Sequence, residues 1–141
     1  IFSFKDSTGN DLIRHTYSLD SSGYQLAYNL WINPEKNPVK KGDLNFDWQQ
    51  NAPNVEKDLT SSRVKTTINY YYSDEEFDDL DETALSKEEV TFEKPVKWVS
   101  FKQKFFNSGF IAEEHFRSGK ASSEANLADS TTTKNLSASL T

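Results

Sequence analysis

Apolar and polar residues alternate with a period of two along most of this chain, and clusters of Gly, Ser, Asn, Asp and Pro interrupt the alternation. Residues 1–5 read as a first strand. The turn over residues 6–11 follows, built from side chains that bond their own backbone or tolerate positive φ. Residues 12–19 read as a second strand, 20–23 as a turn and 24–33 as a third strand. In that third strand Tyr24, Leu26, Tyr28, Leu30 and Ile32 share one face, while Gln25, Ala27, Asn29 and Trp31 share the other. Such alternation marks a sheet with one buried and one wetter face. Pro34 and Pro38 bracket the loop that ends it.

A fourth strand is predicted over residues 43–50, with Leu44, Phe46 and Trp48 in phase. Residues 51–62 carry Pro53 and then Val55 to Leu59, a short helical turn or an irregular connection. Residues 63–72 read as a fifth strand with Val64, Thr66, Ile68, Tyr70 and Tyr72 on one face. Residues 74–82 hold seven acids in nine positions, which predicts a solvated loop or a short surface helix. A short strand over 90–92 precedes residues 97–112, the densest apolar segment of the chain. There Trp98, Ser100, Lys102, Lys104 and Phe106 fall on one face and Val99, Phe101, Gln103 and Phe105 on the other. Asn107, Ser108 and Gly109 break the run before Phe110, so the segment reads as a hairpin with its turn at 107–109. Trp98, at its centre, is expected to be buried. The Ser-, Thr- and Ala-rich residues 118–141 are expected to end in one more strand, on the alternation of Leu136, Ala138 and Leu140. Eight or so short strands separated by turns predict an all-β, antiparallel two-sheet sandwich with room for one short helix.

Composition narrows the picture further. A length of 141 residues is enough for one domain, here taken as residues 1–141, with a core that needs no metal or disulfide. The chain has no Cys, so it has no disulfide framework and no thiol chemistry. Its net charge of −6 argues against nucleic acid or an anionic membrane surface as the main partner. No run approaches the ~20 apolar residues that span a bilayer, so the chain itself is expected to be soluble. It lacks an initiator Met and starts inside what reads as a strand, and is expected to be a piece of a longer protein.

Candidate chemistry is sparse. The acidic run has neither the Gly nor the Glu that an EF-hand needs in register, so no metal site is assigned to it. His15 and His115 are the only histidines, with Glu113 and Glu114 beside the latter. As a pair in one cleft they would suit opening of a sugar ring, but each reads first as an ordinary strand residue. No phosphate-binding glycine loop and no nucleophile elbow is present. The chain is therefore expected to be non-enzymatic, with no catalytic, cofactor-binding or metal-binding residues and no cofactor. Of the aromatics Tyr70, Tyr71, Tyr72, Trp31 and Trp48, alternation leaves only Tyr71 and Trp31 free to line a groove. Lys102 and Lys104 imply a solvent-facing or edge position for their strand.

Two stretches carry a family resemblance. Trp98-Val99-Ser100-Phe101, with Gln103, Phe105-Phe106 and then Phe110-Ile111, resembles the "WVA…QQ[YF]F" segment of the periplasmic domain of the YidC family of bacterial membrane protein insertases. Upstream, Ile13-Arg14-His15-Thr16-Tyr17-Ser18-Leu19 and Gly23-Tyr24-Gln25-Leu26-Ala27-Tyr28-Asn29-Leu30 resemble that family's "hKTYxL … dYxhxhxh" strand pair. His15 stands where the family usually has a Lys with no chemistry attached. The likeness runs from residue 11 to residue 116. Lys102 and Lys104 depart from less charged relatives, and the stretch after Phe116 has no clear counterpart.

The resemblance implies a twisted two-sheet super-sandwich at the periplasmic face of the bacterial inner membrane, tethered by helices outside this chain. It implies a non-catalytic docking module that assists insertion and folding of membrane proteins. Its partners would be the Sec translocon accessory proteins SecD and SecF and nascent membrane proteins, with no nucleic acid. The family thereby links the chain to protein transport and chaperone roles. Two alternatives stay open: an extracytoplasmic carbohydrate-binding or mutarotase-like sandwich, and an adhesion or binding module of a cell-surface system.

Overall fold

The computed structural model describes residues 1–36 and 42–141, and it is almost entirely β. Pro38 lies outside the described residues. The chain divides into two compact units, Ile1–Gly42 and Asp43–Thr141.

The first unit is an antiparallel meander of β1 (Phe2–Lys5), β2 (Asp11–Leu19) and β3 (Leu26–Ile32), joined in that order. Strand positions match the alternation, although β3 begins two residues later than predicted. Asp6 shapes the first turn by accepting hydrogen bonds from the Thr8 and Asn10 backbone N–H groups, and Gly9 takes a positive φ of 86° there. The register sets Phe2 opposite His15, His15 opposite Leu30, Tyr17 opposite Tyr28 and Leu19 opposite Leu26. One face is consequently apolar and aromatic from end to end, and most of its side chains are exposed.

The second unit is a sandwich of two four-stranded antiparallel sheets. One sheet contains β4 (Phe46–Pro53), β7 (Glu88–Phe92), β10 (Gly119–Glu124) and β11 (Thr132–Leu140), in the order β4-β11-β10-β7. The other contains β5 (Thr67–Tyr72), β6 (Phe77–Asp79), β8 (Val96–Lys102) and β9 (Asn107–Phe116), in the order β6-β5-β8-β9. The core lies between them. Ala52, Phe92, Ala121, Leu136, Ala138 and Leu140 enter it from the first sheet, and Ile68, Tyr70, Val96, Val99 and Phe101 from the second. Period-2 alternation puts these residues inside; the inward sets of β5 and β11 are those the sequence predicts, whereas in β8 Val99 and Phe101 turn inward and Trp98, expected to be buried, turns outward. Trp48 lies flat on the Phe101 ring, with centroids 3.7 Å apart, and forms the margin of the core rather than a groove wall.

Several elements differ from the sequence reading. The short helix α1 (Leu59–Arg63) starts four residues later than Val55 and takes Arg63 out of the predicted fifth strand. Asp58 caps it, accepting from the Ser61 N–H at 2.9 Å. Arg63 is then buried and donates to the backbone carbonyls of Asn126, Asp129 and Thr133, tying the β10–β11 connection to the helix.

The acidic stretch is not simply a loop, because residues 77–79 form edge strand β6. Phe77 pairs with Tyr71, Leu80 is buried, and the Asp78 carboxylate accepts from the Tyr70 hydroxyl at 3.0 Å. The hairpin turn falls at residues 103–106, where the Gln103 N–H donates to the Phe106 carbonyl at 2.7 Å, and residues 107–109 belong to β9. β8 is a central strand, so its lysines do not guard an edge: Lys102 bonds Glu82 at 2.7 Å, and Lys104 lies in the turn. The final segment forms two strands, since β10 supplies an inward Ala121 and Ser123 that carry little apolar signal.

Candidate functional site

The outer face of the β6-β5-β8-β9 sheet carries a transverse row of large apolar side chains. Register places Phe77 opposite Tyr71, Tyr71 opposite Trp98 and Trp98 opposite Ile111, so one residue from each strand joins the row. The Tyr71 and Trp98 rings stack within 4° of parallel at 5.6 Å, and Phe77 lies tilted against Trp98 at 6.1 Å. Phe77 is 55% and Ile111 62% exposed, whereas Tyr71 and Trp98 are half-buried between them. Trp98 is thus an outer-face residue and not a core residue, because the bulge between Val96 and Trp98 and the inward Val99 and Phe101 assign it to the opposite face.

The neighbouring row across the same strands is Asp79, Asn69, Ser100 and Gly109. These are short side chains or none. A Cβ on Gly109 would come within 3.3 Å of the Ser100 Cβ, so the two strands already meet closely there. The aromatic row therefore stands as a ridge above a low polar floor. Four adjacent strands give it a length of about 14 Å. Sheet-mounted aromatics bury large areas on contact at little entropic cost, since two neighbouring strands already hold each ring.

Charge around the ridge is uneven. Lys94 bridges Asp74 and Glu76 at 2.9 and 2.6 Å, and those two carboxylates push its ammonium pKa up. Glu82 takes Lys102 and Lys65, and these hydrogen bonds, Lys102 first, hold its carboxyl below the usual range. The Lys97 ammonium donates to the backbone carbonyls of Glu113 and Glu114 rather than to their carboxylates. Burial, with the Asp78 hydrogen bond second, pushes the Tyr70 phenol well up and keeps it protonated.

The other sequence candidates fall elsewhere. His15 belongs to the first unit, where its Nδ1 lies 2.8 Å from the Tyr28 hydroxyl. His115 is exposed on β9 in the second unit. Trp31 sits under the Arg14 guanidinium, 4.9 Å from its ring centroid, on the polar face of the meander. Among the described residues no three His, Asp or Glu side chains converge as metal ligands, and no helix is long and apolar enough to cross a membrane. The outer face of the other sheet holds a shallow depression of about 420 Å³ lined by Asp47, Gln49, Glu89, Lys120, Ser122 and Ser137, with Ala121 and Ala138 among its walls. Tyr71 was visible as an outward aromatic from parity alone. Phe77 and Ile111 were not, because one is embedded in acids and the other follows an apparent turn.

The profile of the YidC periplasmic domain matches residues 2–139. The chain belongs to the YidC periplasmic domain family. Similar proteins include the membrane protein insertase YidC of Amoebophilus asiaticus, 36% identical over 78% of this chain, and that of Cytophaga hutchinsonii, 38% identical over 81%. The YidC of Phocaeicola vulgatus is 28% identical over 89%. This periplasmic-domain chain spans 18% of the length of the first two relatives and 20% of the third. No solved structure matches it. The match runs past Phe116 into β11, beyond the residues 11–116 that carry the sequence resemblance.

Proposed function

We propose that this chain is the non-catalytic docking module of a membrane protein insertase, held at the periplasmic face of the bacterial inner membrane by helices outside this chain. In this reading it contacts SecD and SecF and nascent membrane proteins, and so assists insertion and folding during protein transport. The name carried by its relatives supports the insertase setting. The observation that carries the docking role is the ridge of Phe77, Tyr71, Trp98 and Ile111, mounted on paired strands and open on the outer sheet face. Its aromatic and aliphatic side chains suit binding by burial of apolar surface. Interfaces draw most of their energy from a few such anchors.

The test is co-purification of SecD and SecF with the full-length insertase from solubilised membranes. The Phe77→Ser/Ile111→Ser double variant, which removes two anchors, should retain at least about tenfold less of either partner. Equal retention by wild type and variant would contradict the reading.

A further inference from the structure

We propose that the ridge Phe77–Tyr71–Trp98–Ile111 binds a polypeptide segment in which a short apolar stretch is flanked on both sides by lysine or arginine. This rests on the docking reading of the same face and adds the chemical class of the partner. The apolar part follows from the row itself, four large side chains in register across the sheet. A length of about 14 Å matches nine or ten residues of helix at 1.5 Å each.

The charged flanks follow from what lies at the two ends. Beside the Phe77 end, Asp79 stands two residues along β6 in the neighbouring row and Glu75 lies in the preceding turn; both are exposed. Beside the Ile111 end, β9 passes into an irregular stretch opposite Lys97 that holds Glu113 and Glu114, also exposed. None of these four carboxylates forms an ion pair among the described residues. Of the lysines nearby, Lys94 is paired with Asp74 and Glu76 and Lys102 with Glu82, while the Lys97 ammonium, held by the Glu113 and Glu114 carbonyls, offsets part of the negative charge at that end. The face thus presents an apolar centre with an excess of carboxylates beside both ends, two at the Phe77 end with no ion pair among the described residues and two at the Ile111 end against the single Lys97 ammonium.

A complementary partner supplies cations at both ends and an apolar middle, with electrostatics setting orientation and encounter rate. A second copy would bring carboxylates against carboxylates on a chain of net charge −6, and an anionic membrane surface would be repelled in the same way.

The experiment measures anisotropy of two labelled helical peptides with one apolar core, flanked by lysines in one and by glutamates in the other, against the 141-residue chain. The lysine-flanked peptide should bind at least about tenfold more tightly, and the preference should shrink as salt shortens the screening length. Ile111→Ser, and separately Asp79→Asn/Glu113→Gln, should each weaken it by about tenfold while circular dichroism stays native. Lys120→Gln, on the outer face of the other sheet, should change nothing. Equal binding of the two peptides that still depends on Ile111 would overturn the basic-partner inference and leave the docking surface standing. Binding insensitive to Ile111→Ser and Phe77→Ser, or ridge-dependent self-association in sedimentation, would overturn both.

Discussion

Tyr71 and Trp98 face each other across the β5–β8 pair with ring planes 4° apart, on the outer side of the sheet whose inner side carries Tyr70 and Val99. Neighbours in sequence thus serve opposite purposes: the even member of one pair and the odd member of the other build the core, and their partners build the exposed ridge.

Trp98 should therefore tolerate truncation better than its position in the densest apolar segment suggests. A half-buried cross-strand pair is lost in Trp98→Ala, at about 1–2 kcal/mol. Phe101, fully buried against Trp48, should cost about 3–5 kcal/mol as Phe101→Ala. Urea denaturation of both variants measures the gap, and equal losses would place Trp98 in the core after all.

Arg63 holds the β10–β11 connection by donating to the carbonyls of Asn126, Asp129 and Thr133 at 2.8, 2.6 and 3.2 Å. Arg63→Ala leaves those acceptors short of donors and should cost about 2–4 kcal/mol. Arg63→Lys should recover little, because an ammonium cannot span three carbonyls as the planar guanidinium does. Hydrogen exchange over residues 126–133 should accelerate in both variants, and unchanged protection would remove this role.

Asp129 links that same connection to pH. The Thr131 hydroxyl first, then the Thr132 hydroxyl and the Thr131 N–H, hold its carboxyl down from 3.8 to about 2. A depressed folded-state value means stabilisation that is complete above 3.8 and is lost as pH falls towards about 2. Asp129→Asn should flatten the fall in stability across that window. A variant with the wild-type acid slope would show that Asp129 contributes nothing to it.

Gly119 opens β10 where the chains are tightest. A Cβ there would stand 2.5 Å from the Ser139 carbonyl oxygen and 3.2 Å from the Leu140 Cα, both backbone atoms that cannot move aside. Gly119→Ala should separate β10 from β11 and destabilise by about 1–3 kcal/mol. Gly9, with nothing within 4 Å, should resist Ala through its φ alone and lose less, about 1 kcal/mol. Thermal denaturation of the two variants orders them, and the reverse order would contradict the packing account.

Much of this fold is legible from local alternation. The meander of β1 to β3 and the inward residues Ile68, Tyr70, Leu136, Ala138 and Leu140 follow from parity, whereas parity alone leaves open whether the Trp98 face or the Val99 and Phe101 face of β8 turns inward. Elements whose apolar content misleads are not legible. Phe105 and Phe106 sit exposed in a turn, Phe77 forms an edge strand among acids, and β10 turns small residues inward. The ridge was half visible: parity turns Tyr71 outward, but its alignment with Trp98, Phe77 and Ile111 depends on register across four strands, which is a long-range property. Arg63 was read as part of a strand because its carbonyl partners lie more than sixty residues away in sequence.

The most direct test of the docking surface is site-specific photo-crosslinking in the full-length protein in bacterial membranes, with the photoreactive residue placed in turn at Phe77, Ile111, Lys120 and Ser137. The account predicts crosslinks to another polypeptide from Phe77 and Ile111 and none from Lys120 and Ser137. Crosslinks absent from the ridge, or equally frequent from the polar face of the other sheet, would contradict it.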